Sequence, residues 1–380
     1  MEKIKVLFVN HNLTWGGAER ALFDLIRLMD KEKFEVTLFA QHDDGSWDEK
    51  FREAGIRVIY DYSCRKPTWN PIKKAGNYLK KKQVQKAYQC GGEGLLDVCF
   101  PEGADIVVSY SVWENEELVF APGAKTVKYY HGDCGTDPIY RKEALETKDK
   151  LRRFDRIVFV SQASCDGFRE LTGIEKGVEK HFNPMDSDVV KELAKVPVEF
   201  PTDAPVICAV GRLYEDKGFE RLVYVHKNLL KQGIYHKLLI VGDGPDYGRM
   251  ENIIRITKTQ DTVILAGYQA NPYPYMAQSK FVVCPSYAEG LPVIAMESLC
   301  LGIPMVGAVP SVGEAFGEEC CGLVTENDND SLEEGIKKML TDEEFYAAAK
   351  AGAQKRGEYF DGKRMVKEIE DMFLAMMQEK

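Results

Sequence analysis

PSYAEGLPVIAMESLCLGIP, residues 285–304, decides how the rest of the chain is read. An apolar strand pattern, Phe281 to Cys284, runs into a loop punctuated by Gly290 and Pro292, and a helical pattern follows. Proline suits the first helical turn, where its missing N–H costs nothing, so the amides around Leu291, Val293 and Ile294 face outward at the positive end of the helix dipole. Such an end holds phosphate well. Glu289 lies in the loop and Glu297 about one and a half turns into the helix, a depth that suits a sugar hydroxyl better than a second anion. The plainer reading is a buried corner whose glutamate is satisfied internally, since the apolar run makes an unpaired carboxylate costly.

The strand, glycine loop and helix recur along the chain. Short β-branched and aromatic runs at Ile4 to Val9, Phe34 to Phe39, Arg57 to Tyr60, Ile106 to Tyr110, Thr126 to Tyr130 and Ile157 to Val160 alternate with helical spacing. After a linker around Met185 to Pro205 the rhythm restarts at Val206 to Val210, Leu238 to Val241, Val263 to Leu265, Phe281 to Cys284, Met305 to Gly307 and Leu323 to Thr325. Alternation of this kind predicts parallel sheets covered by helices, hence two doubly wound α/β domains, residues 1–184 and 185–361, with a ligand between the carboxyl ends of their strands.

The totals agree with this. A chain of 380 residues is long enough for two cores, and 44% hydrophobic with 29% charged residues is a globular composition. A net charge of −10 argues against a general nucleic-acid binder. The start, MEKIKVLFVNHNL, reads as a first strand, and no apolar stretch reaches a membrane span, so a cytoplasmic protein is expected. The ten cysteines are scattered without C-x-x-C, which suits reduced core thiols.

Candidate site residues stand at the predicted strand ends. The first strand leads into HNLTWGGAER, where Gly16 and Gly17 let a ligand approach the backbone before a helix. This is not a dinucleotide fingerprint, and a plain turn explains it equally well. His131 and Gly132 end the fifth strand and face the expected cleft, where the histidine can bond a ligand or share a proton. In the second half, Gly211, Arg212 and Lys217 place two cations before a helix, a set that neutralises a diphosphate, Arg212 as a fork and Lys217 as a point charge. Gly242 to Pro245 is a glycine-rich turn, and Tyr268 ends another strand where a base can stack. Separately, Arg65 to Gln89 holds eight Lys or Arg and no acid. Lys73, Lys74, Lys80, Lys81 and Lys82 surround a face of Ile72, Ala75 and Leu79, the pattern of a helix lying on anionic headgroups or of a solvated surface helix.

Taken in order, GGAER, HG at 131, SQASCDGF at 161, GRLYEDKGF at 211, IVGDGP at 240, LAGY at 265 and EGLPVIAME at 289 closely resemble the retaining glycosyltransferases of family 4, whose fold is GT-B. The resemblance spans nearly the whole chain, and the last motif is the family's E-x7-E. It implies two Rossmann-like domains facing each other across a cleft, with a last helix, about 362–380, crossing back onto the first.

It also implies a donor site. Arg212 and Lys217 would hold the diphosphate of a nucleotide sugar, UDP being the expected nucleotide, helped by amides from Gly290 to Val293, with Leu291 and Pro292 between them, and by the Gly16–Gly17 loop. Glu297 would bind the ribose, Gly242 and Tyr268 would lie near the base, Glu289 would contact the sugar, and His131 would sit by its C6 side. Transfer of a hexose or N-acetylhexosamine to a glycan or polyprenyl-diphosphate-linked acceptor would follow, without a metal or cofactor, since no D-x-D stands in a metal-binding setting. The basic segment would meet the acceptor at the cytoplasmic face of the membrane. Asn183-Pro184-Met185-Asp186 departs from the N-G-V-D of many relatives. A sugar-nucleotide epimerase of the same fold and a non-enzymatic sugar-binding protein are the alternatives.

Overall fold

The computed structural model describes residues 2–14, 16–42, 47–61, 71–111 and 116–379, with the backbone alone for 71–75. Thirteen strands among them form two parallel sheets. The first contains β1 (Ile4–Asn10), β2 (Phe34–Ala40), β3 (Arg57–Tyr60), β4 (Ile106–Ser111), β5 (Lys125–Tyr130), β6 (Arg156–Phe159) and β7 (Val178–Lys180), in the order β3-β2-β1-β4-β5-β6-β7. The second contains β8 (Val206–Val210), β9 (Lys237–Val241), β10 (Val263–Leu265), β11 (Phe281–Cys284), β12 (Met305–Gly307) and β13 (Gly322–Val324), in the order β10-β9-β8-β11-β12-β13. Runs such as Val6-Leu7-Phe8-Val9 and Ile207-Cys208-Ala209 are buried on both faces, as strands covered by helices on each side must be.

Strand order reverses beside β1 and beside β8, where Val6 pairs with both Val36 and Ile106, and Ile207 with both Leu238 and Phe281. Loops diverge at such points and leave a crevice. The Gly16–Gly17 loop follows β1, the Gly211 loop follows β8 and the Glu289 loop follows β11.

Every strand read from the sequence is present, and β7 is an addition. The stretch read as linker also holds a helix, Ser187–Leu193, which packs on the helix Val293–Cys300. Asp186 caps it by accepting from the amides of Asp188 and Val189, both at 3.1 Å. Asp186 also pairs with Arg27, so this short helix is pinned to the first sheet's layer.

The last helix, Gly362–Gln378, carries Val366, Ile369, Phe373 and Met376 on one stripe, and these join Phe8, Leu25 and Ile26 in the core of the first domain. A further link between domains comes from Glu314, whose carboxylate accepts from the amides of Gln162 and Ala163 at 2.6 and 2.8 Å. It thereby caps the helix Gln162–Thr172, whose N-terminus favours an anion.

A buried histidine pair lies behind β9. Nδ1 of His236 faces the carbonyl of Ile234 at 3.0 Å and must donate, so its Nε2 accepts from Nδ1 of His226 at 2.9 Å. Nε2 of His226 is then an acceptor for the Thr262 hydroxyl, 2.9 Å away. Both rings are fully buried, and burial, then the neighbouring His236, pulls His226 down to about 3. In the unfolded chain these rings take protons near pH 6.5, whereas in the fold they resist. Stability is therefore complete above about pH 6.5 and declines as pH falls, by about 2 kcal/mol at pH 5 for His226, with His236, also lowered by burial, acting in the same direction. Urea unfolding at pH 7 and pH 5 should show this slope, and a His226→Leu/His236→Leu variant should show a shallower one.

Candidate active site

The carboxyl ends of both sheets open onto one cleft of about 1100 Å³. Three neighbouring strand ends form its floor on the second domain. Gly211 N donates to Val241 O at 3.1 Å and Gly242 N to Gly267 O at 2.8 Å, which ties the turns after β8, β9 and β10 side by side. Gly242 has φ +154, and a Cβ there would stand 1.9 Å from Gly211 O, so only glycine fits.

The cations come next. Arg212 lies beside the Tyr214 ring, 5.3 Å from guanidinium to centroid. Lys217 ends a 3₁₀ turn, and the following Gly218, at φ +66, lets the backbone pass so near Pro285 O that a Cβ would stand 2.0 Å from it. That close approach brings the Lys217 amine to Oε1 of Glu289 at 2.7 Å and to Asp216 at 3.3 Å. Burial opposes the lysine's charge, but Glu289, followed by Asp216, holds its pKa above the ordinary value. Ser286 also donates to Oε1 of Glu289, at 2.8 Å. Glu289 is thus held by a cation and a hydroxyl in one fixed orientation.

The helix expected after the loop is Val293–Cys300. Pro292 is its N-cap, with ψ 120, one place earlier than expected, so the leading amides are those of Val293 and Ile294. Leu291 is buried. Glu297 is 8% exposed and accepts from the Tyr273 hydroxyl at 2.7 Å.

From the first domain, the Gly16–Gly17 loop opens the helix Gly17–Leu28. A Cβ on Gly17 would sit 3.2 Å from the Val293 side chain, so two helix starts meet across the cleft. Gly290 presses still closer, since a Cβ there would be 2.4 Å from His131 O and 2.9 Å from Val160. His131 Nε2 donates to Tyr110 O at 3.0 Å, which leaves Nδ1 as a buried acceptor beside Asn183, with no formed hydrogen bond. Burial pulls this histidine down to about 4. At neutral pH it is therefore an uncharged hydrogen-bonding group.

All the residues expected at the donor site, Gly16, Gly17, His131, Gly211, Arg212, Lys217, Gly242, Tyr268, Glu289 to Val293 and Glu297, line this cleft. Tyr268 is half exposed at its edge. Two residues were missed. Burial raises Glu19, which also feels Arg212 across the cleft. Arg20 lies 5.0 Å from the Tyr273 ring, and Glu297 and then Tyr273 raise its pKa against the effect of burial. The acid and base of GGAER were visible beside the glycines, but only a fold could show that each faces an opposite charge on the other domain.

The basic segment lies elsewhere. Residues 62–70, with Arg65, Lys66 and Trp69, and the side chains of Ile72, Lys73, Lys74 and Ala75 are outside the described residues, as is Trp15. The helix Pro71–Gln89 buries Val84 and Ala87, whereas Tyr78 and Leu79 are 58% and 62% exposed, with the Lys82 amine 5.0 Å from the Tyr78 ring. Among the described residues, no helix is long and apolar enough to cross a membrane.

Comparison with known proteins bears on the same division. Residues 15–180 match the model Glycosyltransferase Family 4, and residues 190–356 match Glycosyl transferases group 1. A Campylobacter jejuni protein, N-acetylgalactosamine-N,N'-diacetylbacillosaminyl-diphospho-undecaprenol 4-alpha-N-acetylgalactosaminyltransferase, is 28% identical over 95% of this chain and 96% of its own. The putative glycosyltransferase EpsF of Bacillus subtilis is 26% identical over 93% and 89%. Among solved structures, Anabaena Alr3699/HepE in complex with UDP superposes with a TM-score of 0.73 at 19% identity, covering 98% of this chain and all of that one. Sucrose-phosphate synthase from Thermosynechococcus elongatus gives 0.76 at 16%, over 99% and 100%. Two Rossmann-like sheets facing one cleft, with a family model on each half, make this chain a member of the GT-B glycosyltransferases of the family-4 type.

Proposed function

We propose that this glycosyltransferase moves a hexose or N-acetylhexosamine from a UDP-sugar to a glycan or lipid-linked acceptor in cell-surface glycan assembly, retaining the anomeric configuration and using no metal. The observation that carries the reading is the convergence of Arg212, Lys217 and the starts of two helices, one from each domain, on one cleft beside Glu289 and Glu297. Departure of the diphosphate is the difficult step, and positive charge fixed in advance where negative charge grows is what lowers its barrier. Arg212 would take the diphosphate as a fork and Lys217 as a point charge, with the Val293 and Gly17 helix starts completing the anion site. Glu297, buried and oriented by Tyr273, would accept from the ribose hydroxyls. Glu289 would bind the sugar's hydroxyls, and Nδ1 of His131 would accept from its C6 side.

Retention follows from front-face attack, in which the acceptor oxygen bonds to C1, the C1–O bond to the diphosphate breaks, and the acceptor's proton passes to the leaving phosphate. Lys217 fixes Glu289 at 2.7 Å, which favours a sugar-binding role over a free nucleophile. The Campylobacter relative acts on a diphospho-undecaprenol acceptor by its name, and Anabaena neighbours are complexes with UDP and with UDP-glucose, which supports both halves of the proposal.

Calorimetric titration in EDTA with UDP, GDP and ADP tests the donor half. UDP is expected to bind, and Glu297→Ala to weaken it at least tenfold; failure of every nucleotide to bind would sink the assignment. For the acceptor half, the exposed Tyr78–Leu79 face with its lysines would rest on the cytoplasmic face of the membrane. Reversing the charge of Lys73, Lys74, Lys80, Lys81 and Lys82 should release the protein from vesicles containing anionic lipid. Unchanged vesicle binding would dismiss that contact.

A further inference from the structure

Arg221 is buried in the helix Phe219–Lys231, 3% exposed, and its hydrogen-bond acceptors are all neutral. Its Nε donates to Pro285 O at 2.7 Å, its Nη2 to Ser286 O at 2.8 Å and its Nη1 to Oδ1 of Asn327 at 2.7 Å. Asn327 in turn donates through Nδ2 to Tyr287 O at 2.7 Å. Three consecutive carbonyls of the loop after β11 are therefore gripped by one guanidinium and one amide. The Tyr287 ring lies 4.1 Å from the same guanidinium, and its backbone N–H donates to Asp216 O at 2.8 Å. Gly218, three residues before Arg221, lets that loop pack against the turn holding Lys217.

For the fold alone this is an expensive choice. A buried guanidinium whose hydrogen-bond acceptors are neutral carries a desolvation cost, only partly offset by the nearby Asp328 charge, that a leucine or methionine at the same place avoids. What an apolar residue could not do is fix the course of the loop. The loop's next residues are the ones that matter to the site, because Ser286 Oγ and Lys217 both hold Oε1 of Glu289. A displacement of the Ser286 backbone moves that hydroxyl, and with it one of the two groups that aim the carboxylate.

We propose that Arg221 is a positioning residue of the transfer reaction: with Asn327 it fixes the carbonyls of Pro285, Ser286 and Tyr287 and so sets where Glu289 meets the donor sugar. The inference rests on the reading that Glu289 contacts that sugar. Lysine, with a point charge in place of a planar fork, cannot bridge successive carbonyls in the same way. The UDP portion of the donor would be gripped by Arg212, Glu297 and Lys217, and the Lys217 amine bonds Glu289 and Asp216 and not the gripped carbonyls, so the loop's position should matter to turnover and little to UDP binding.

The test uses the full chain with Arg221→Met, Arg221→Lys and Asn327→Ala, the last an exposed change that keeps the measurement available where a core variant fails to fold. UDP affinity is read by calorimetry, and turnover as UDP release from the UDP-sugar that the native protein consumes. UDP Kd should stay within about threefold of native while turnover falls, about tenfold for Asn327→Ala and more for Arg221→Met, with Arg221→Lys between them. Combined with Arg221→Met, Glu289→Gln should cost much less than it does alone, because both changes disable the same contact. Parallel loss of UDP binding and turnover, native turnover in all three variants, or full multiplication of the two effects would overturn the positioning role. If Glu289→Gln alone leaves turnover intact, the sugar-contact reading falls, and this inference with it.

Discussion

Arg212→Ala is expected to lower kcat/KM for the UDP-sugar by about 10²–10³-fold, the size of effect seen when one fixed donor is removed from a developing oxyanion. The reason lies in how the cleft distributes its cations. Lys217 shares its charge with Glu289 and Asp216, and Arg221 is committed to the loop carbonyls. Arg212 stands against the Tyr214 ring and faces the other domain, where Glu19 feels its charge. A diphosphate entering between the two helix starts would therefore find Arg212 as its principal counter-charge. Arg212→Lys should recover part of the loss, since it restores the charge without the fork. UDP affinity by calorimetry and steady-state UDP release together check this: kcat should fall along with UDP binding, because the interaction strengthens as the leaving group gains charge.

Gly290→Ala should cost about 10–100-fold in turnover, although it adds one methyl group. The added carbon would stand 2.4 Å from His131 O and 2.9 Å from Val160, and both belong to the other domain. A backbone carbonyl cannot swing aside as a flexible side chain can, so the loop or the domain must retreat. Overpacking of this kind costs about 1–3 kcal/mol, which converts to the stated loss if only the closed arrangement reacts. The strain falls between domains and not within either core. Thermal unfolding should therefore stay near native while turnover drops, and small-angle scattering should show a more open particle. Native turnover in this variant would mean that the His131–Gly290 contact has no part in the reaction.

The strands were legible because their runs are β-branched and buried on both faces, a pattern that leaves few alternatives; Val206 to Val210 and Phe281 to Cys284 were placed to the residue. β7 was not, since Val178–Lys180 has only three residues and only Val178 is buried. The helix Ser187–Leu193 was hidden for a similar reason, its seven residues among the Pro, Val and Asp of the presumed linker, its start marked only by Asp186. Residues with chemistry were readable where glycines and strand ends announced them, as at Arg212, Glu289 and Glu297. Partnerships were not. Lys217 was read as facing phosphate, yet it also holds Glu289, and that pairing depends on Gly218 passing beneath Pro285. Arg221 sits in an ordinary amphipathic helix, where nothing distinguishes a buried cation from a surface one. His131 was placed at the cleft by its strand, but its lowered basicity comes from burial among Tyr110 and Tyr129, which only tertiary structure brings together.

The most direct measurement is a crystal structure of the native protein with UDP. The diphosphate is expected between the starts of the helices Gly17–Leu28 and Val293–Cys300, within hydrogen-bonding distance of Arg212 and Lys217. The ribose hydroxyls should lie on Glu297, with the uracil near Gly242 and Tyr268. UDP bound away from Arg212 and Glu297, or held by the first domain alone, would contradict it.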